Sequence, residues 1–428
     1  MALDQLSSVV SRRNFVRLFG AGATVAAALP NLAQQAFIAG GPPAPPAPAN
    51  TRRRGAGADM GEMRQLSPDT VIISANENPL GPAAVALSAM VEAGPTGGRY
   101  DKLGVARATV ATISEQFGLK PGYVELYPGS GGPLDMALMS NISSERGLVC
   151  GDPSYEQGFR AAQTCKAPLK MVPLTSTYAF DVKAMVAADP KAGAFYIVNP
   201  NNPTATITPK EDILWLLKNK PAGSVVIVDE AYIHFSNAES VLDQVAADQD
   251  IIVLRTFSKI YGMAGIRAGF AFGRPDLLEK FQSISPEIRL RNVASVSLIS
   301  AAMAGASLRD PSLVPTRKKI NTDIRESTLE FMEKNGYKVI PGAQANFFMV
   351  DVNRPGREFS QNMIKEKVAI GRSWPALPTY VRVTVGTADE MAKFQTAFVK
   401  CMDMPVAAKT TALLEPPELY IPSELHRG

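Results

Sequence analysis

Four short apolar runs, each breaking into polar residues, set the first constraint on the fold: GLVCGDPSY (Gly147 to Tyr155), AFYIVNPNNPT (Ala194 to Thr204), SVVIVDEAYIHF (Ser224 to Phe235) and DIIVLRTFSK (Asp250 to Lys259). Runs that are apolar throughout, rather than at alternate positions, suit strands buried on both faces. Helical candidates lie between them, such as TPKEDILWLLKNK, where Thr208 is expected to cap the helix with Glu211 three residues later. Strands that alternate with helices predict an α/β architecture: a large three-layer α/β/α domain around a mostly parallel sheet. Ligands collect at the carboxyl ends of the strands in such sheets, which is where these polar residues fall.

The chain before and after this region reads differently. Residues 1–34 contain SRRNFVRLFGAGATVAAALP, with Arg12 and Arg13 paired, Phe15 close behind, and an uncharged stretch from Leu18 to Leu29 too short to span a bilayer comfortably. This segment resembles a twin-arginine export signal, which predicts a periplasmic protein carried by the twin-arginine machinery without stable membrane insertion. Its three arginines against one aspartate supply half of the formal net charge of +4, so neither a nucleic-acid surface nor a polybasic membrane patch is indicated. Residues 35–65, rich in Pro, Ala and Gly, form an expected linker, and folding should begin near Leu66. Residues 66–100 are expected to be an arm joining a small domain, 101–293 the large domain, 294–402 a smaller α+β domain with strands in ANFFMVDV and YVRVTVGT, and 403–428 a proline-interrupted tail.

Three cysteines (Cys150, Cys165, Cys401) and two histidines (His234, His426) form neither a disulfide framework nor a zinc-ligand pattern. No metal is expected, and His234 is expected to be packed or solvent-facing rather than catalytic. The composition favours chemistry built on lysine, aspartate and tyrosine. Asp229 ends four apolar residues, where a carboxylate needs a cation, and a protonated pyridine nitrogen would serve. Tyr232 and Asn202 offer groups for a ring oxygen. YPGSGGPLDMAL presents a glycine turn opening a helix, whose free N–H groups at Gly131 and Gly132 suit a phosphate, with Ser258 and Arg267 near the same anion. Lys259 lies between them as either a solvated strand-end lysine or an amine joined to a carbonyl cofactor.

NPNNPT, VDEAY and SKIYGMAGIRAGF, in that order, resemble class I/II pyridoxal-phosphate aminotransferases of fold type I. SANENPLGP, DPSY, LRTFSK, ANFFMV and VRVTVGT are most similar to their histidinol-phosphate aminotransferase branch. The resemblance runs from about Ser74 to Thr387. It implies pyridoxal 5'-phosphate as cofactor, Lys259 as the Schiff-base lysine, Asp229 beside the pyridine nitrogen, Tyr232 and Asn202 at the ring oxygen, and Tyr155 on the ring. It also implies phosphate contacts from Ser130, Gly131, Ser258 and Arg267, and from Tyr100 reaching across a homodimer. Arg382 would clamp the substrate carboxylate, Arg372 would assist it, and Asn78 would lie at the substrate mouth.

The chain departs from that branch in three places: GSGGPLD lacks the acidic pair after the glycine-serine turn, YDK at Tyr100 to Lys102 replaces YPD, and NPTA ends in Ala205 where glycine is usual. The implied activity is ping-pong transfer of an amino group between an amino acid or amine and an oxo acid. A lyase or decarboxylase on the same scaffold is the alternative, and a non-catalytic binding protein a third. Histidine biosynthesis draws on cytosolic intermediates, so export argues for a different substrate.

Overall fold

The computed structural model describes residues 66–284 and 296–405. The export signal, the linker and the residues beyond 405 therefore lie outside the described residues. Seven strands form the main sheet: β2 (Val124–Tyr127), β3 (Leu148–Asp152), β4 (Leu169–Pro173), β5 (Ala194–Val198), β6 (Val225–Asp229), β7 (Ile251–Thr256) and β8 (Gly269–Phe272), in the order β2-β8-β7-β6-β5-β3-β4. Neighbours from β7 through β4 run parallel, and only β8 opposes its neighbours β7 and β2. The mostly parallel α/β sheet is the expected one, and β5, β6 and β7 are buried at every position, as their unbroken apolar runs require.

Three of these strands, β2, β4 and β8, lie outside the four runs named above. Edge strand β4 has one buried residue in five, so its sequence, LKMVP, lacks the signal. Strand β8 makes the connection after β7 a return rather than a crossover, so the loop from Phe257 to Ala268 brings both Lys259 and Arg267 to the carboxyl edge of the sheet.

Thr208 does not cap the following helix. That helix, Lys210–Asn219, starts behind Pro209 without a side-chain cap, because Thr208 is bound elsewhere. Its hydroxyl accepts from the Phe180 N–H at 3.0 Å, and its N–H and carbonyl are taken by the Asn199 side chain. Glu211 and Asp212 in the first turn still complement the helix dipole.

In the second described stretch, Leu298–Leu308 is a helix capped by Ser297, and it packs on helices Ala84–Ala93 and Val105–Gln116. The long helix Leu313–Lys334 follows. Strands β9 (Phe347–Asp351) and β11 (Tyr380–Thr384) then pair antiparallel, with Arg382 opposite Met349. A further pairing joins β1 (Val71–Ile73) to β10 (Val368–Ile370) in parallel. It carries the chain after β1, Ser74 to Asn78, past the carboxyl ends of the main sheet. Asn346 fastens that stretch by donating to the Asn76 and Glu77 carbonyls.

Candidate active site

A cavity of about 380 Å³ opens where these elements meet, lined by residues at or after the ends of β2, β3, β5, β6 and β7 together with Ala75, Asn76 and Glu77, with Arg372 after β10 and Arg382 on β11. A larger cavity, about 560 Å³, lies at the amino ends of β3, β5 and β6 among Glu145, Arg146, Pro190 and Lys191. Chemistry rather than size selects between them, because only the smaller one gathers buried titratable groups without counter-ions.

The adjacent carboxylates of β6 show the contrast. Strand alternation sends Glu230 to one side, where it accepts from Arg255 at 2.7 Å, from Ser240 and from the Val241 N–H. Asp229 points to the other side, into the cavity lining, 5% exposed. Its acceptors meet only the Ala231 N–H at 3.0 Å and the Tyr196 hydroxyl at 3.4 Å. Burial pushes its pKa up to about 6, against the pull of those two donors and of Lys259. A buried carboxylate with neutral partners fits a protonated ring nitrogen, which would be the missing cation.

Lys259 follows β7 and lines the same cavity, its Nζ 3.3 Å from the Ala75 carbonyl and 5.5 Å from the Tyr232 ring centroid. Burial first, then the charge of Arg382, lowers its pKa to about 8, so a substantial share of the amine is free base near neutrality. Tyr232 is buried, its phenol raised above the usual range by burial; its hydroxyl accepts from Asn76 Nδ2 at 3.1 Å, and its ring stands edge-on to Phe347. Tyr155 is 37% exposed on the cavity wall, its phenol pushed up to about 12 by burial.

At the phosphate end, Gly131 and Gly132 open helix Gly131–Met139, so their N–H groups have no partner within the helix. Arg267 reaches the same place and donates to Ser258 Oγ at 3.3 Å and to the Ala264 and Pro128 carbonyls, all neutral acceptors. An arginine without a carboxylate beside a helix N-terminus fits a phosphate. Gly129 makes this possible twice over: its φ is +86°, and a Cβ there would run into the Arg267 guanidinium.

Arg382 donates to Asn202 Oδ1 at 2.7 Å and to the Ser74 carbonyl at 2.6 Å, while its buried Nε has no partner among the described residues. Burial lowers its pKa to about 10. Ala205 keeps a left-handed φ of 61°, the conformation a glycine would take without strain.

Lys259, Asp229, Tyr232, Asn202, Tyr155, Ser130, Gly131, Ser258, Arg267, Arg372 and Arg382 thus share one cavity. Two of the expected residues do not. Asn78 spends its amide on the Ile260 carbonyl and the Leu80 N–H and lines a neighbouring cavity, and Tyr100 is 89% exposed. Asn76, two residues before Asn78 in the same motif, has the closer position. It is 1% exposed with a φ of 53°, held by Thr384 and bonded to Tyr232. Its signal, an asparagine tolerating the left-handed region, was present in SANENP but not distinguishable from that of Asn78. Tyr196 behind Asp229 and Glu156 beside Arg372 were also missed, the first because it reads as a core aromatic. His234 lies outside the cavity, edge-on to Tyr261, and burial lowers its pKa to about 3.

Residues 68–398 match the family model described as aminotransferase class I and II. The chain is 30% identical over 333 residues to histidinol-phosphate aminotransferase of Moorella thermoacetica, covering 76% of this chain and 84% of that protein. It is 32% identical over 331 residues to histidinol-phosphate aminotransferase 1 of Nitrosococcus oceani, covering 76% and 86%. Among solved structures, histidinol-phosphate aminotransferase from Sinorhizobium meliloti in complex with pyridoxal-5'-phosphate superposes with a TM-score of 0.72 at 22% identity, covering 82% of this chain and 95% of that one, a likeness of fold.

Proposed function

This chain belongs to the class I and II aminotransferase family, and from that premise we propose which of its residues carry out the transfer, and where. It is a pyridoxal-phosphate-dependent aminotransferase that moves an amino group between an amino donor and an oxo acid. Bound pyridoxal phosphate supplies a carbonyl for the amine and an electron sink for the carbon that loses its proton.

Lys259 Nζ is the amine that would hold the cofactor carbonyl, and as a free amine it would accept and return the proton of the donor's α-carbon. Its lowered pKa supports that role, since a permanently charged ammonium could neither attack nor accept a proton. Asp229 would keep the ring nitrogen protonated, and Tyr232 and Asn202 would set the polarity at the ring oxygen. Tyr155 would pack on the ring. Ser130, Gly131, Ser258 and Arg267 would anchor the phosphate. Arg382 binds the donor carboxylate with the help of its unpartnered Nε.

The observation that carries this reading is the pair of adjacent carboxylates where β6 ends, Glu230 ion-paired to Arg255 and Asp229 buried at the cavity without an ion pair among the described residues. Its test is the visible absorption of the purified, cofactor-loaded protein after single amino acids are added in the absence of any oxo acid. A donor-dependent change that is lost in Lys259→Ala supports the assignment, and unchanged turnover in Lys259→Ala defeats it.

The protein is proposed to act as a homodimer in the periplasm. Leu80, Val91, Tyr100 and Leu103 expose large apolar side chains along one stretch of the chain, which supports a second copy covering them, with Tyr100 toward the neighbour's cofactor. Sedimentation of a monomer at micromolar concentration would count against the dimer. Export rests on the paired arginines, Arg12 and Arg13; fractionation that finds the protein only in the cytosol would count against it.

A further inference from the structure

Arg372, after β10, and Arg382, on β11, flank one indole. The Arg372 Cζ lies 4.7 Å and the Arg382 Cζ 5.3 Å from the Trp374 ring centroid, and the backbones at 372 and 382 are paired, with the Arg382 N–H donating to the Arg372 carbonyl at 3.2 Å. Their partners differ. Arg382 meets only neutral acceptors, whereas Arg372 is ion-paired to Glu156, the residue after Tyr155. Glu156 is not itself in the cavity lining but holds Arg372, which is; Glu77 lines the cavity directly.

Arg267 and Asp229 are matched to the cofactor's phosphate and ring nitrogen, so the substrate is left with the guanidiniums of Arg372 and Arg382 and the carboxylate of Glu77, with Glu156 bound to Arg372 from outside the lining. Of these two guanidiniums, that of Arg382 has no carboxylate partner among the described residues. A second anion on a substrate would have to share Arg372 with a carboxylate already seated there. The pair is partly open to solvent, with Arg372 side chain 47% and Glu156 side chain 20% exposed, so the discrimination it gives is moderate rather than absolute.

We propose that Glu156 is a specificity-determining residue: by neutralising Arg372 it restricts the site to donors and acceptors with one anionic group. Amino acids with neutral or cationic side chains fit. Dicarboxylic amino acids and phosphate esters of amines are disfavoured. This rests on the aminotransferase reading of the cavity and adds the substrate class to it.

The test uses the cofactor-loaded enzyme and two inert analogues, butyrate with one carboxylate and succinate with two, titrated by calorimetry. The wild type should bind butyrate more tightly than succinate. Glu156→Gln, which keeps the shape of the side chain, should move the succinate-to-butyrate affinity ratio about tenfold toward succinate. The double variant Glu156→Gln with Arg372→Met should return the ratio to within about twofold of the wild type.

A ratio unchanged in Glu156→Gln, or a gain that survives loss of Arg372, overturns the role of Glu156 while leaving the aminotransferase assignment standing. The two failures are told apart by absorption. If no amino acid changes the spectrum of the bound cofactor in the wild type, the assignment of the cavity falls and this proposal falls with it.

Discussion

Replacing Asp229 by asparagine should stabilise the cofactor-free protein and disable the loaded one. In the free protein the carboxylate is buried, which raises its pKa to about 6 from an ordinary 3.8. A folded pKa above the unfolded one gives a contribution fully present below about pH 4, which is lost as pH rises through about 6. Above that window the charged group sits in the fold at a cost of at most about 3 kcal/mol, taking about 1.4 kcal/mol per pKa unit. Asparagine removes the charge, can still accept from the Ala231 N–H, and can donate to the Tyr196 hydroxyl, so the gain should be about 1–3 kcal/mol.

Urea unfolding of the cofactor-free wild type and variant at pH 5 and pH 7.5 measures this. The variant's advantage should be larger at pH 7.5. Loaded with cofactor the order should reverse, because the wild-type carboxylate then gains its cation, and turnover of the variant should fall by about 100-fold or more. A cofactor-free variant less stable than wild type by more than about 1 kcal/mol at pH 7.5 would refute the argument that Asp229 is an uncompensated buried charge.

Competitive labelling of the cofactor-free protein with acetic anhydride should show Lys259 titrating near pH 8, well below the exposed lysines. At pH 7 that corresponds to about 300-fold more free base than an ordinary lysine would have; a midpoint near 10 would remove the physical basis for its reactivity. Gly129→Ala should destabilise the fold by about 1–3 kcal/mol through its positive φ and weaken cofactor retention by displacing Arg267, as read by melting temperature and cofactor dissociation. Arg382→Gln should lower kcat/KM for amino-acid donors by about 100-fold, chiefly through KM if the arginine holds the carboxylate equally in ground and transition states. An unchanged KM would move the carboxylate site elsewhere.

Much of the fold was legible because unbroken apolar runs have few places to go. Strands β5, β6 and β7, with the polar residues that follow them, could be read from sequence since a strand buried on both faces must be apolar at every position and must shed its polar residues at its ends. The same logic picked out Asp229, which no core would accept unpaired. Strands β4 and β8 escaped, one because an edge strand needs little apolar side chain and the other because its direction depends on pairing with β7 and β2.

Local capping signals proved weaker than tertiary hydrogen bonds. Thr208 had the right type and spacing for a cap, but Asn199 and Phe180, distant in sequence or in another element, claimed its polar groups. Asn76 and Asn78 were indistinguishable by residue type within SANENP. Asn346 and Thr384, each about 270 residues or more away in the chain, decide which one turns toward Tyr232.

By itself, then, the sequence determined the parallel sheet and most of the polar residues that line the cavity at its carboxyl edge, because burial and valence restrict each of those positions one at a time. The balance of charge around the substrate was decided only by tertiary structure. Arg372 and Arg382 differ in their counter-ions, not in their chemistry, and whether Glu156 stands beside one or the other depends on how the segment from β10 to β11 packs against the residues after β3, a relation between distant segments that no local pattern encodes.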